Sequence, residues 1–242
     1  MKTKLLKRCS VRKYKNKVFS DKVINEIIDV INSSPTSSNS HQFSVNLVTD
    51  QKLKDELAIV AMNQKHISQC SVFVVFNVDL TSIRESIKNL DDKLKTNAFL
   101  ISMTDLTISS TMLQDWAVLN NYGTCYIGAI RRNIKEAQKV LKLPENVIPV
   151  LGLCIGVSDQ KLTNKPKLNK VFMNDNYNNI EFANRMKEYD KTMFEYYEQK
   201  HPEMSSMAFY NHNIRTYDIN DVRNNSVDFD FINDIINIAF KK

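Results

Sequence analysis

Five stretches of this chain carry residues suited to gripping an anion or hydrogen-bonding a flat polar ring. They are Arg8-Cys9-Ser10-Val11-Arg12, then Ser37-Ser38-Asn39-Ser40-His41-Gln42, then Gln64, then the turn around Gly128, then Lys165-Pro166-Lys167. Guanidinium, ammonium, hydroxyl and amide groups are donors for phosphate and carbonyl oxygens. None of the five offers an obvious nucleophile. There is no G-x-G-x-x-G fingerprint, no P-loop and no G-x-S-x-G elbow. The histidines, His41, His66, His201 and His212, lack metal-ligand spacing, and Cys9, Cys70, Cys125 and Cys154 form no C-x-x-C pair. The expectation is a site without metal, built for a bound organic cofactor that carries the chemistry itself.

Glycine shows where the backbone is constrained. The chain has four glycines in 242 residues, where average usage of about 7% would give roughly 17. All four lie between Gly123 and Gly156. Gly123 follows a long helical pattern and reads as its C′ stop, a position that favours left-handed backbone. Gly128 follows the apolar run Cys125-Tyr126-Ile127 and precedes another helix. A strand, a glycine and a helix start place free backbone N–H groups at one point, which suits an electron-rich ring edge or a phosphate. An ordinary turn would use the same residues.

The elements that must position these residues follow from periodicity. Ser20-Asp21 opens a helix with Ile24, Ile27, Ile28 and Ile31 on one face. It ends in the polar loop 32–42, and a strand over 43–49 comes next. Residues 51–61 read as a helix and 63–66 as a polar knot. The runs 71–78 and 147–157 are continuously apolar and of strand length, the pattern of central strands covered on both faces. Residues 81–90 predict a helix. Residues 96–122 predict the longest one, a core helix with Leu106, Leu113, Trp116 and Ala117 on one stripe. Asn133-Ile-Lys-Glu136 resembles a capping box opening a helix that stops before Pro144. Residues 185–200 and 228–242 read as the last amphipathic helices. Helices interleaved with a few strands predict an α+β or α/β arrangement around one sheet.

Composition narrows the class. Hydrophobic content of 43% is enough for a core, and no apolar run nears the ~20 residues of a membrane span. Net charge is +6, and residues 1–17 hold eight lysines and arginines with no acid. Such an arm suits non-specific nucleic-acid binding, or a small polyanion such as a nucleotide phosphate. The basic start lacks the apolar core of a signal peptide, and the scattered cysteines read as free thiols of a reducing compartment. The expectation is a cytoplasmic protein with no membrane partner.

In this order the pieces resemble the nitroreductase family, in its flavin reductase and oxygen-insensitive NAD(P)H nitroreductase branch. Cys9-Ser10-Val11-Arg12-Lys13-Tyr14 is similar to the family's R-S-x-R-x-[FY] stretch, and Pro35-Thr36-Ser37-Ser38 to its [PA]-[ST]-S-S loop. Asn63-Gln64-Lys65-His66 is similar to G-x-Q-x-[HY], and residues 123–131 to G-x-x-Y-I-G-G-[IL]-R. Residues 143–156 are similar to L-P-x-x-V-x-P-[LV]-x-G-L-x-x-G, Lys165-Pro166-Lys167-Leu168 to K-P-R-L, and residues 189–197 to Y-D-x-x-x-x-[ED]-Y-Y. The resemblance runs over residues 5–200. It implies one nitroreductase-like domain over 1–242, with 201–242 a divergent C-terminal extension.

The family fold implied is α+β, a single sheet flanked by helices in an intertwined homodimer with FMN at the interface. The activity implied is that of an FMN-dependent oxidoreductase with no catalytic side chain. NADPH or NADH gives a hydride, leaves, and is followed by a small aromatic acceptor: a nitroaromatic, a quinone or a free flavin. Nucleic acid is not an expected partner. Arg8, Ser10, Lys165 and Lys167 would hold the FMN phosphate, and Arg12 would face the pyrimidine edge of the ring. Ser38, Asn39 and Gln64, with Ser37 beside them, would hydrogen-bond the ribityl chain or ring. Tyr126, Ile127, Gly128 and Ala129 would lend backbone near N5 and O4, and Arg131 is a further phosphate candidate. His41 and Gln42 are alternatives for a ring-contacting glutamine.

Departures from the family pattern are specific. Cys9 stands where arginine is usual, and Ala129 replaces the second glycine of Y-I-G-G. Lys167 replaces an arginine, keeping the charge but losing the bidentate fork. The arginine-rich loop of NADPH-preferring relatives is not matched after Lys200, which leaves NADPH against NADH open. With Cys9 and Ala129, a flavin-binding store or sensor with little turnover is the alternative.

Overall fold

The computed structural model describes residues 2–87, 92–173 and 177–200. In chain order, α1 (Lys2–Leu6) and α2 (Asp21–Asn32) precede strand β1 (Phe43–Val48). Then α3 (Gln51–Val60) and α4 (Lys65–Gln69) precede β2 (Val72–Asp79), and α5 (Thr81–Ser86) and α6 (Asp92–Leu119) precede β3 (Gly123–Ile127). Finally α7 (Ile134–Leu141) leads to β4 (Val147–Gly156), and α8 (Asn179–Lys200) closes the described chain. The described residues fall into two units, 2–162 and 163–200. The first holds the sheet and seven helices; the second holds the Lys165-Pro166-Lys167 loop and α8.

The strands form one sheet in the order β1-β2-β4-β3, with every neighbouring pair antiparallel. Helices cover both of its faces, which makes the fold α+β. Side chains alternate along a strand, and β2 divides its residues accordingly. Val72, Val74, Phe76 and Val78 enter a core with α2 and α6, while Phe73 and Val75 enter a second core on the other face, with α3, α4 and α7. The register shifts between Phe76 and Asn77. Asn77, buried beyond that shift, donates to Asn46 Oδ1 at 2.7 Å.

Local chemistry sets the helix ends. Asp50 caps α3 by accepting from the Leu53 N–H at 2.9 Å, and Asn133 caps α7 by accepting from the Glu136 N–H at 3.3 Å. Leu106, Leu113 and Ala117 of α6 are fully buried within this one chain. Trp116 is half-buried and stacks on Tyr122 with ring centroids 5.8 Å apart. The residue that ends α6 is not Gly123, as the spacing suggested, but Asn121, in left-handed backbone at φ 64°. Asparagine tolerates that region because its short polar side chain bonds locally. Gly123 has a different reason to lack a side chain: a Cβ there would lie 2.7 Å from Val11 Cγ2. Gly152 and Gly156 are likewise close-packed, against Phe73 and Tyr14.

The helix expected over 81–90 is seen as far as Ser86. The basic start forms α1 and the polar knot opens α4, two short helices that the sequence pattern did not announce. The helix expected over 228–242 and the divergent extension 201–242 lie outside the described residues.

Candidate functional site

The N-terminal arm reaches the sheet through the outer edge of β3. Ser10 bridges to Thr124 in parallel, and the Val11 N–H donates to the Thr124 carbonyl at 2.8 Å. The arm continues past the end of β4, where Lys15 N donates to Val157 O and Asp159 N to Lys13 O, each at 2.9 Å. Gln160 fixes the bend between, its Oε1 accepting from Arg12 N at 2.8 Å and Lys13 N at 3.1 Å. The backbone of Arg12 is thus pinned while its side chain stays exposed.

This pairing sets Arg8, Ser10 and Arg12 near Cys125 of β3. Burial pushes the Cys125 thiol up, and the Arg12 guanidinium, the Ser10 hydroxyl and the Arg8 guanidinium pull it back. The Arg12 charge is also felt at His66 on α4. Burial, then the Arg12 charge, holds that imidazole below its ordinary pKa, so the neutral form is favoured. Among the described residues neither Arg8 nor Arg12 has a carboxylate partner. His66 Nε2 is buried without a hydrogen bond. Gln64 precedes α4, half-buried, after Met62 and Asn63 in left-handed backbone. A cavity of about 230 Å³ opens beside the arm, lined by Lys4, Lys7, Arg8, Cys9 and Thr124.

The Gly128 turn leaves the end of β3 as a 3₁₀ segment, Gly128–Asn133. Tyr126 sends its hydroxyl 3.3 Å from Ser110 Oγ on α6, and Ile127 is buried on the opposite face. What these two residues have to offer a ligand is backbone. Arg131 turns inward: its Nη1 donates to Val150 O at 2.6 Å, and burial, then Arg132, lowers its pKa. Its Nη2 would stand 3.2 Å from a Cβ on Gly128.

The polar loop before β1 is built differently. Ser38, Asn39 and His41 all have left-handed backbone, at φ 51°, 54° and 48°. Non-glycine residues held there are strained, so neighbours must hold the loop in place. Asp105 on α6 does so, accepting from Ser37 N, and Ser102 Oγ donates to the Gln42 carbonyl. Ser37, Ser38, Asn39 and His41 are exposed. Gln42 is buried, donating from Nε2 to Ser40 Oγ at 2.7 Å, with its Oε1 unpartnered.

The expected site residues therefore form separate groups. Arg8, Cys9, Ser10, Arg12, Gln64 and the Gly128 turn lie toward the β3 edge, with Arg12 near Cys125 and His66 on the α4 face. The 37–42 loop lies at the opposite edge, tied to α6 on the other face. Three strand spacings of about 4.8 Å put those edges roughly 14 Å apart. In the second unit, Lys165 and Lys167 are exposed; Lys165 Nζ donates to Tyr197 Oη at 3.3 Å, and Tyr189 Oη donates to Pro166 O at 3.1 Å. The residues that sequence reasoning missed are Asp105, Gln160 and Cys125. An aspartate inside the apolar pattern of a long helix was a signal for the first; the other two had none.

As a hydrogen-bonding set this suits FMN: cations without counter-ions among the described residues and a hydroxyl match a phosphate, and the unpartnered Gln42 Oε1 and His66 Nε2 match the polar edge of a flat ring.

The profile of the Nitroreductase family matches residues 5–106. A Bacillus subtilis protein named FMN reductase [NAD(P)H] is 31% identical over 195 residues, covering 77% of this chain and 78% of its own. Another from that organism, FMN reductase (NADPH), is 28% identical over 205 residues, 81% of this chain and 82% of its own. The solved structure of the NfrA1 nitroreductase of B. subtilis matches at a TM-score of 0.84 and 25% identity, over 98% of this chain and 97% of that one. With the ordered motifs, the single sheet and relatives matched along most of their length, the chain belongs to the nitroreductase family.

Proposed function

We propose that this protein is an FMN-dependent NAD(P)H oxidoreductase that works as a homodimer. The observation that carries the reading is the group of Arg8, Ser10 and Arg12 on the arm that pairs with β3, cationic and, among the described residues, without a carboxylate partner. Relatives named as FMN reductases support it. Bound FMN supplies two-electron transfer between a reduced nicotinamide and an acceptor.

The chain's own residues bind and orient. Ser10 donates a hydroxyl hydrogen, while Lys165 and Lys167 offer ammonium groups to the phosphate. Arg12, its backbone pinned by Gln160, supplies a positive charge that favours negative charge arriving beside it. His66, kept neutral, adds no second cation there. The acceptors proposed are nitroaromatics, quinones and free flavins, taken after the oxidised nicotinamide has left. A cytoplasmic location belongs to the same proposal, supported by four unpaired cysteines.

Topology supports a site shared between two chains. The sheet stands between the 37–42 loop and the Arg12 group of one chain, so a single ligand meets both more simply when the loop comes from a partner. The long helix α6 leaves Leu100, Thr104, Thr107, Ile108 and Thr111 exposed at helical spacing, a surface of the kind a second subunit covers.

The test is spectroscopic. Purified protein should be yellow, lose that colour on anaerobic addition of NADPH or NADH, and regain it when a quinone is added. Initial rates at several fixed donor concentrations should give parallel double-reciprocal lines. A protein that takes up no FMN overturns the reading; one that binds FMN but is not bleached is the flavin store instead.

A further inference from the structure

Three of the four cysteines meet at one place. Cys125 in β3 and Cys154 in β4 are register partners, so their side chains leave the sheet on the same face and enter the same core. The Cys70 thiol, just past α4, joins the same core and donates to the Ile67 carbonyl at 3.0 Å. Directly paired residues of an antiparallel ladder have Cα atoms about 4.5–5.5 Å apart, inside the roughly 4.4–6.8 Å that a disulfide spans. Joining Cys125 to Cys154 asks the two Cβ atoms, about 4.5–5.5 Å apart in such a pair, to close by roughly 1 Å. Cys70, held by its Ile67 bond, is the less favoured partner.

The two paired thiols differ in their surroundings. Burial pushes both up, but Cys125 has Arg12, Ser10 and Arg8 opposing it, while Lys54 alone opposes it at Cys154. Cys125 is 3% exposed and Cys154 0%, so Cys125 is the sulfur an oxidant meets first, and the less strongly held in its thiol form. It also follows Thr124, to which Ser10 is bridged and the Val11 N–H donates at 2.8 Å.

We propose that Cys125 and Cys154 are an oxidative modification site, a dithiol that hydrogen peroxide closes to a disulfide, and that closure weakens FMN binding through Ser10. The second half rests on the cofactor reading above. The Cys125 thiolate attacks one peroxide oxygen; the O–O bond breaks and hydroxide leaves, taking a proton to become water. The Cys154 sulfur then attacks the sulfenic sulfur of Cys125. The S–S bond forms, and the sulfenic oxygen departs as a second water with the Cys154 proton. Two thiols lose two electrons and the peroxide gains them. An added thiol reverses the step by exchange. Drawing β3 toward β4 at Cys125 displaces Thr124, the residue to which Ser10 is bridged.

The experiment treats the FMN-loaded wild-type protein with hydrogen peroxide, blocks free thiols, and maps cross-linked peptides by mass. The expected result is a Cys125–Cys154 cross-link with loss of two hydrogens. It should persist in Cys9→Ser and Cys70→Ser, vanish in Cys125→Ser, and reverse with dithiothreitol. The FMN dissociation constant of the oxidised protein should rise about fivefold, the worth of one ordinary hydrogen bond. Mapping to Cys70–Cys154, or to no pair, overturns the site, and the wild-type map decides this without any variant having to fold. A cross-linked protein with unchanged FMN affinity overturns the coupling. Reduced protein that takes up no FMN overturns the cofactor reading instead, and the cross-link is still read by mass.

Discussion

Both carboxylate oxygens of Asp105 lie 3.2 Å from the backbone nitrogen of Ser37. Asp105 is 2% exposed, in the middle of α6, and among the described residues no cation pairs with it. A buried carboxylate is thus held in place to grip one amide of a strained loop. Asp105→Ala should cost about 1.5–3 kcal/mol, the range of a charged hydrogen bond. Urea unfolding measures that loss, and amide exchange at residues 37–39 should quicken beyond the global change. Unchanged exchange there would mean that the loop is held by something else.

Arg12→Ala should keep much of the FMN but make it harder to reduce. Removing a fixed cation leaves added negative charge less favoured, so the flavin midpoint potential should fall and bleaching by NADPH should slow. A potential equal to wild type would place Arg12 away from the ring.

His66 gives a pH dependence with a definite sign. Burial and Arg12 lower its pKa in the folded chain, so between that value and the ordinary ~6.5 the unfolded chain binds more protons. Stability from this group is present above about pH 6.5 and is lost as pH falls through the folded value. Thermal unfolding of wild type and His66→Gln should diverge below that pH and converge above it. In Arg12→Ala the His66 titration, followed by NMR, should move upward; a downward move would contradict the closeness of the two side chains.

Lys165→Ala combined with Lys167→Ala should weaken FMN binding by roughly 100-fold or more, since two charged hydrogen bonds are worth at least ~3 kcal/mol. Equilibrium titration by flavin fluorescence reads this directly. Riboflavin, which lacks the phosphate, should bind the double variant and wild type equally. Full FMN occupancy at micromolar double variant would take both lysines out of the site.

Sharing of the site between chains predicts complementation. A chain with Arg12→Ala and a chain with Asp105→Ala should each be impaired alone. Co-expressed, they should recover activity, because a mixed dimer contains one site with both residues intact. Dilution followed by light scattering should release FMN as 28.0 kDa monomers appear. A monomer that keeps its flavin would refute the shared site.

The sequence alone determined the elements and the class of site. Continuous apolar runs placed the central strands and period-3.6 patterns the long helices of the described chain, because burial is a local constraint that each segment records by itself. The donor set was legible for a similar reason: an anion needs arginine, lysine, serine and amide side chains whatever brings them together. Tertiary structure decided the rest. The order β1-β2-β4-β3 sends the 37–42 loop and the Arg12 arm to opposite edges, and strand order depends on pairings between distant segments that no local pattern encodes. The same long-range register sets Cys125 opposite Cys154, 29 positions apart in sequence. It also presses Val11 onto Gly123, so that a glycine expected to end a helix serves close packing while Asn121 makes the turn. A helix stop and a steric vacancy ask for the same residue, and the packed chain distinguishes them by what lies 2.7 Å away.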